Sequence, residues 1–159
     1  MLKRIPTVDH LQARGHQFAI VASKYNARFV EGMLNPAVAA LEKAGAKRVT
    51  VIRVPGAFEV PAVAATLAKS KKFSALICLG VILRGETTHA QHIGEAVSHA
   101  LVDIQVQYHV PVIHEVLLLE SEAQAEARCL SPKHNRGLEA AQTAIEMAIT
   151  MRKLKLAWP

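Results

Sequence analysis

A chain of 159 residues with 51% apolar and 20% charged residues is long enough for one core and too apolar to stay disordered. Aromatics make up only 4%, so any Tyr, Phe or Trp outside the core is informative. A formal charge of +6 favours acidic partners such as nucleic acid, an anionic membrane or a phosphorylated small molecule, of which nucleic acid fits least because the basic residues are scattered, with no recognition motif.

Residues 1–15, which contain Pro6, read as an arm or an edge strand. Lys3 and Arg4 are followed by no apolar signal core, and no apolar run approaches the ~20 residues of a membrane span, so a cytoplasmic protein is expected. Phe18-Ala19-Ile20-Val21-Ala22 is a continuous apolar run, as for a strand buried on both faces. Asn26 is placed to cap a helix in which Val30, Met33, Leu34, Ala37, Val38 and Leu41 recur at helical spacing. Pro36 should kink this helix and Gly45 close it. The second strand is 49–54, stopped by Pro55-Gly56, and a helix follows over 60–69 with Pro61 in its first turn. Lys69, Lys71 and Lys72 complement the dipole at that helix's end.

The third strand is 75–79, where Cys78 reads as a buried thiol, and 80–88 reads as a loop. A long helix then carries Ile93, Val97, Ala100, Leu101, Ile104 and Tyr108, and the fourth strand is 112–117. Ser121 caps a short helix to about Cys129, and Asn135 caps the last one, with Leu138, Ala141, Ile145, Ala148 and Ile149 along one face. The two cysteines form no Cys-x-x-Cys unit, so neither a disulfide scaffold nor a zinc site is suggested.

Strands alternating with helices imply one α/β domain over 1–159, a three-layer αβα sandwich around a mainly four-stranded parallel sheet. Ligands bind such sheets beyond the carboxyl ends of the strands, where three loops lie: 23–26, 55–59 and 81–89. These loops hold no phosphate-binding P-loop, dinucleotide-binding turn or nucleophile elbow. His89 and His92 share a helix face but lack a third metal ligand.

In Leu83-Arg84-Gly85-Glu86-Thr87-Thr88-His89, a glycine and two threonines ahead of a helix can offer donors to an anion, with His89 beside them to move protons. Ordinary capping by Thr87 or Thr88 with a surface histidine explains the same residues, and Glu86 opposes an anion unless it turns away. Pro55-Gly56-Ala57-Phe58-Glu59-Val60-Pro61 presents an aromatic face next to a carboxylate, as a flat polyhydroxylated ligand would need; the alternative is Phe58 as core and Glu59 as first-turn charge. Tyr25 can serve as a stacking platform.

Together, Ile20-Val21-Ala22-Ser23-Lys24-Tyr25-Asn26, 54–61, 80–89, Arg128, Asn135-Arg136-Gly137, Glu139-Ala140-Ala141 and Ile145-Glu146-Met147-Ala148 resemble the lumazine synthase family, from about Phe18 to the last helix. The resemblance implies a flavodoxin-like fold and a cofactor-free, metal-free condensation of 5-amino-6-(D-ribitylamino)uracil with 3,4-dihydroxy-2-butanone 4-phosphate to 6,7-dimethyl-8-ribityllumazine, in riboflavin biosynthesis. It implies that Tyr25 stacks on the pyrimidine, that Ala57, Phe58 and Glu59 hold the ribityl chain, and that Val81, Ile82 and Leu83 meet the pyrimidine edge. Gly85, Glu86, Thr87 and Arg128 would receive the phosphate, and His89 would transfer protons. Arg128, Arg136 and His114 would reach into the pocket from a neighbouring subunit of a homopentamer, Arg136 and His114 toward the ribitylaminouracil, with a larger shell and riboflavin synthase as further associations to consider. Arg136 stands where the family commonly has Lys, His114-Glu115 where it commonly has Phe-Gly, and 129–133 lacks the usual Gly-Thr-Lys. A non-catalytic or slow paralogue that holds a riboflavin-like ligand, or a shell-forming protein, is the alternative reading.

Overall fold

The computed structural model describes residues 11–159. In chain order these form β1 (Gln17–Ser23), α1 (Ala27–Lys43), β2 (Arg48–Val54), α2 (Val60–Lys69), β3 (Ala75–Leu83), α3 (His89–Tyr108), β4 (Val112–Leu119), α4 (Glu122–Ala125) and α5 (Arg136–Ala157). A 3-10 turn, Ala57–Glu59, precedes α2, and a π-helical turn, Glu126–Leu130, follows α4.

All four strands are parallel, in the order β2-β1-β3-β4. The chain steps outward from β1 to β2, then back across β1 to β3 and on to β4. Right-handed crossovers therefore put α1 on one face and α2 and α3 on the other. The core divides accordingly. Phe18, Ile20, Ile77 and Leu79 pack with α1 and α5, whereas Ala19, Val21, Leu76 and Cys78 pack with α2 and α3. The flavodoxin-like three-layer sandwich thus follows from strand order and handedness, and the central strands β1 and β3 are buried on both faces, as their apolar runs require. Burial pushes the Cys78 thiol up to about 12, so it is an inert core residue.

Several expectations are corrected. Residues 80–83 are not loop: β3 continues to Leu83 because β4 runs on to Leu119 and pairs with it residue for residue. Asn26 stands at the N-cap of α1, but in a left-handed conformation (φ 54°) and without a side-chain cap. Its amide instead reaches across to β3. The short helix from Ser121 is α-helical only to Ala125 and then widens into the π turn. Of the foreseen N-terminal arm, residues 1–10 lie outside the described residues; residues 11–15 lead into β1, with Ala13 buried and its N–H donating to the Ala44 carbonyl at 2.8 Å. Gly45 closes α1 as expected, at φ 84°, with Gly45 N–H donating to Glu42 and Ala46 N–H to Leu41 in a Schellman pair.

Pro36 does not end α1, and its cost is met elsewhere. Without an N–H it cannot bond the carbonyl of Gly32, four residues back. Asn135 Nδ2 donates to that carbonyl at 2.9 Å and to the Cys129 carbonyl at 2.7 Å, while Asn135 Oδ1 accepts from Gly137 N–H at 2.9 Å and Leu138 N–H at 3.2 Å. One buried amide thus caps α5, holds the π turn and repairs α1. The approach is so close that a Cβ on Gly137 would stand 1.9 Å from the Met33 carbonyl oxygen.

Asn135→Asp keeps the cap acceptor but removes the donors to Gly32 and Cys129. It should lower unfolding free energy by about 1–3 kcal/mol, the cost of buried unpaired acceptors. Pro36→Ala restores an N–H for Gly32, so the same substitution in that background should cost measurably less by urea titration. Equal losses in both backgrounds would show that the amide and the proline are not linked.

Candidate active site

The carboxyl edge is drawn together by backbone and side-chain bonds at the point where strand order reverses. After β1, Lys24 N–H donates to the Val54 carbonyl at 2.8 Å and Tyr25 N–H to the Pro55 carbonyl at 3.1 Å, which fastens this loop to the one after β2. Asn26 Nδ2 donates to the Val81 carbonyl at 2.7 Å, which fastens it to β3. Beneath them Arg53 donates through Nε to the Ala22 carbonyl at 3.2 Å and through Nη2 to the Ser23 carbonyl at 3.0 Å, and pairs with Glu31 on α1. The sequence reading passed over Arg53 because a lone arginine in a strand carries no motif. Ser23 Oγ is buried without a hydrogen-bond partner among the described residues.

On this base the foreseen aromatics are free of the core. Tyr25 is 72% exposed and Phe58 62% exposed, so the core reading of Phe58 does not hold. Gly56 lets the Tyr25 ring close on the loop, since a Cβ there would lie 3.2 Å from Tyr25 Cδ2. Glu59 Oε2 accepts from Gly56 N–H at 2.8 Å, which fixes the carboxylate beside Phe58 and leaves Oε1 for another donor. The Ala57–Glu59 turn packs against β3 and α3, bringing Phe58 and Glu59 toward the helix that begins at His89. Val81 is buried, with Ile82 and Leu83 half-buried beside it. Gly85, Glu86, Thr87 and His89 are exposed; Thr87 Oγ1 accepts from His89 N–H at 3.4 Å, a weak contact of the capping kind.

The remaining foreseen residues lie apart, and on two faces of β4. His114 points to the α3 face: its Nδ1 accepts from Val116 N–H at 3.1 Å, and its Nε2 lies 2.7 Å from Ser98 Oγ. A backbone N–H can only donate, so neutral His114 carries its proton on Nε2. Burial holds its pKa below the usual histidine value, in keeping with that neutral form. Arg128 and Arg136 belong to the α1/α5 face, with Arg128 exposed on the π turn. Arg136 Nε donates to Glu115 Oε2 at 3.0 Å and its Nη1 to Glu139 Oε2 at 2.7 Å. Glu115 is only 6% exposed, and desolvation raises its pKa to about 7 against the opposing pull of Arg136. Neither Glu115 nor Glu139 was foreseen as an arginine partner; their alignment depends on which face of β4 meets α5.

Two adjoining grooves, of about 370 and 550 Å³, lie at the opposite, amino edge of the sheet around Phe73, His109, Val110, Met151 and Lys155. Among the described residues no cluster of His, Cys, Asp or Glu is arranged to hold a metal ion, and no helix is long and apolar enough to cross a membrane.

The chain is similar to known proteins of one family. Residues 15–152 match the family model described as 6,7-dimethyl-8-ribityllumazine synthase. A protein of that name from Syntrophus aciditrophicus is 39% identical over 154 residues, covering 94% of this chain and all of that protein. One from Salinibacter ruber is 38% identical, covering 89% of this chain and 92% of its own length. One from Thermococcus onnurineus is 39% identical, covering 88% and 91%.

The raised Glu115 pKa has a signed consequence. The carboxyl is more easily protonated folded than at its ordinary 4.5, so its stabilising contribution is fully present below pH 4.5 and is lost as pH rises through about 7. The swing is on the order of 3 kcal/mol. Denaturant titrations at pH 5 and pH 8 should show the protein losing stability relative to its Glu115→Gln variant at the higher pH. Parallel pH dependences would mean that Glu115 does not titrate in this window.

Proposed function

The chain belongs to the 6,7-dimethyl-8-ribityllumazine synthase family, and from that premise we propose how its own residues conduct the family's condensation. The reaction joins 5-amino-6-(D-ribitylamino)uracil to 3,4-dihydroxy-2-butanone 4-phosphate and releases phosphate and water. An amine must attack a ketone, phosphate must leave and a ring must close. These steps call for proton transfer, anion binding and the holding of two substrates together.

The observation that carries the assignment is that Tyr25, Phe58-Glu59 and His89 follow β1, β2 and β3 at one carboxyl edge, His89 as the first residue of α3. Tyr25 stacks on the pyrimidine, where its exposed ring costs nothing to recruit. Ala57, Phe58 and Glu59 receive the ribityl chain, with the unbonded Glu59 oxygen accepting its hydroxyl hydrogens. Val81, Ile82 and Leu83 supply the strand end for the pyrimidine edge. Gly85, Glu86, Thr87 and Arg128 form the phosphate subsite at the head of α3, and His89 moves protons from its first turn. We place this chemistry in the cytoplasm, because neither the phosphate ester nor the polyhydroxylated uracil crosses a bilayer unaided.

Arg128 and Arg136 come from the π turn and from α5, on the face of the sheet opposite α2 and α3. That separation supports a site completed by a neighbouring copy, in a homopentamer with head-to-tail contacts, in which His114, Arg128 and Arg136 serve the next subunit's loops.

The purified chain, given both substrates and no added cofactor, should develop the lumazine's absorbance and release phosphate. Absence of both signals where a known synthase works would overturn the activity. Arg128→Ala should impair use of the butanone phosphate far more than binding of the uracil. His89→Ala and Arg128→Ala chains, each nearly inactive alone, should recover roughly a quarter of the activity when mixed equally in one ring, the fraction of sites with both residues intact. No recovery in demonstrably mixed rings would place both residues in one chain's site.

A further inference from the structure

Arg136 does not stand free, and its partners are unusual for a residue meant to meet a ligand. Two carboxylates from different elements hold it: Glu115 of β4 through Nε, and Glu139 of α5 through Nη1. All three side chains are largely withdrawn from water. Among the described residues the two bonds leave Nη2 without a protein partner, so one end of the guanidinium remains to donate. Its orientation is set by the fork, because a planar guanidinium gripped at two nitrogens cannot rotate. Lysine at 136 could not be held this way, since an ammonium is a point charge without a second arm. Two departures noted in the sequence, Arg136 and Glu115, are therefore one physical unit.

We propose that Glu115 is a positioning residue that fixes Arg136 with Nη2 presented to a carbonyl of the ribitylaminouracil, so that the affinity for this substrate is set through the Glu115–Arg136 contact. This rests on the assignment of Arg136 to the uracil subsite. The charged and titratable groups facing Glu115 are Arg136 and Glu139 on α5 and Arg128 and Cys129 on the π turn. An ionised Glu115 holds Arg136 as an ion pair; protonated, it loses that attraction and offers the still-cationic guanidinium only a neutral carbonyl oxygen, a weaker hold. With its pKa raised to about 7, the change of grip falls within the working pH range.

The test is steady-state kinetics of the assembled enzyme between pH 6 and pH 8.5, with saturating butanone phosphate. In the unaltered protein the KM for the ribitylaminouracil should rise several-fold as pH falls through about 7. Glu115→Gln should raise that KM several-fold at pH 8, leave kcat within about two-fold, and flatten the KM profile. Arg136→Lys should be worse with Glu115 present than with Glu115→Gly, since only the fork needs the carboxylate. If Glu115→Gln fails to fold, the pH profile of the unaltered protein and the Glu139→Gln variant, expected to raise the same KM, still decide. If Arg136→Ala raises the uracil KM but neither Glu115→Gln nor pH moves it, the positioning role is wrong. If Arg136→Ala leaves that KM unchanged, the subsite assignment itself fails.

Discussion

The contact between α1 and α5 governs where Arg128 and Arg136 stand. A proline within α1 leaves the Gly32 carbonyl without its helical donor, and a helix cannot bury that carbonyl cheaply. Asn135 supplies the donor, and it can do so only because Gly137 lets α5 lie against the Met33 carbonyl with no Cβ between. The same amide fixes the Cys129 carbonyl, hence the end of the π turn. Arg128 lies in that turn and Arg136 directly follows Asn135 in the chain. One side chain thereby sets the starting points of both arginines, and a defect in α1 is turned into a fixed reference for the site.

The opposite half of the site has a different anchor. The strand order reverses at β1 and β3, and the carboxyl edge there is bridged by Asn26 and braced by Arg53. Asn26 and Arg53 donate to backbone carbonyls near the strand ends, and Arg53 pairs with Glu31 as well, while Tyr25 and Phe58 stay exposed beside them.

What was legible in the sequence is what depends on local period. The strands, the long helices, the Schellman ending at Gly45 and the loops at the carboxyl edge follow from runs, spacings and turn residues. Strand length was read short for β3 and β4 because Gly80 and Leu118-Leu119 carry no local signal; each strand is long only because the other is. The Asn135–Gly32 link spans 103 residues, so the sequence shows Pro36 as a flaw in α1 and Asn135 as a cap without showing that one answers the other. Asn26 misled for the same reason: a good cap residue by type, it was drawn to Val81 by tertiary geometry instead. The family resemblance picked out Arg136 and Glu115 as unusual positions, but their contact needs the face of β4 and the register of α5 together.

That contact also argues against a purely structural reading of Glu115. A carboxylate this withdrawn from water carries a desolvation cost that one arginine offsets only in part, and replacing such pairs with apolar groups often stabilises a fold. Its raised pKa shows the account still unfavourable, since Arg136 does not return it to the ordinary carboxylate range. Glu139 adds a second negative charge nearby, which makes ionising Glu115 harder and yet tightens the hold on Arg136. An arrangement that strains its own acid in order to grip a guanidinium from two sides gives little to folding. What it does give is a donor of fixed direction at the start of α5, beside the edge strand β4.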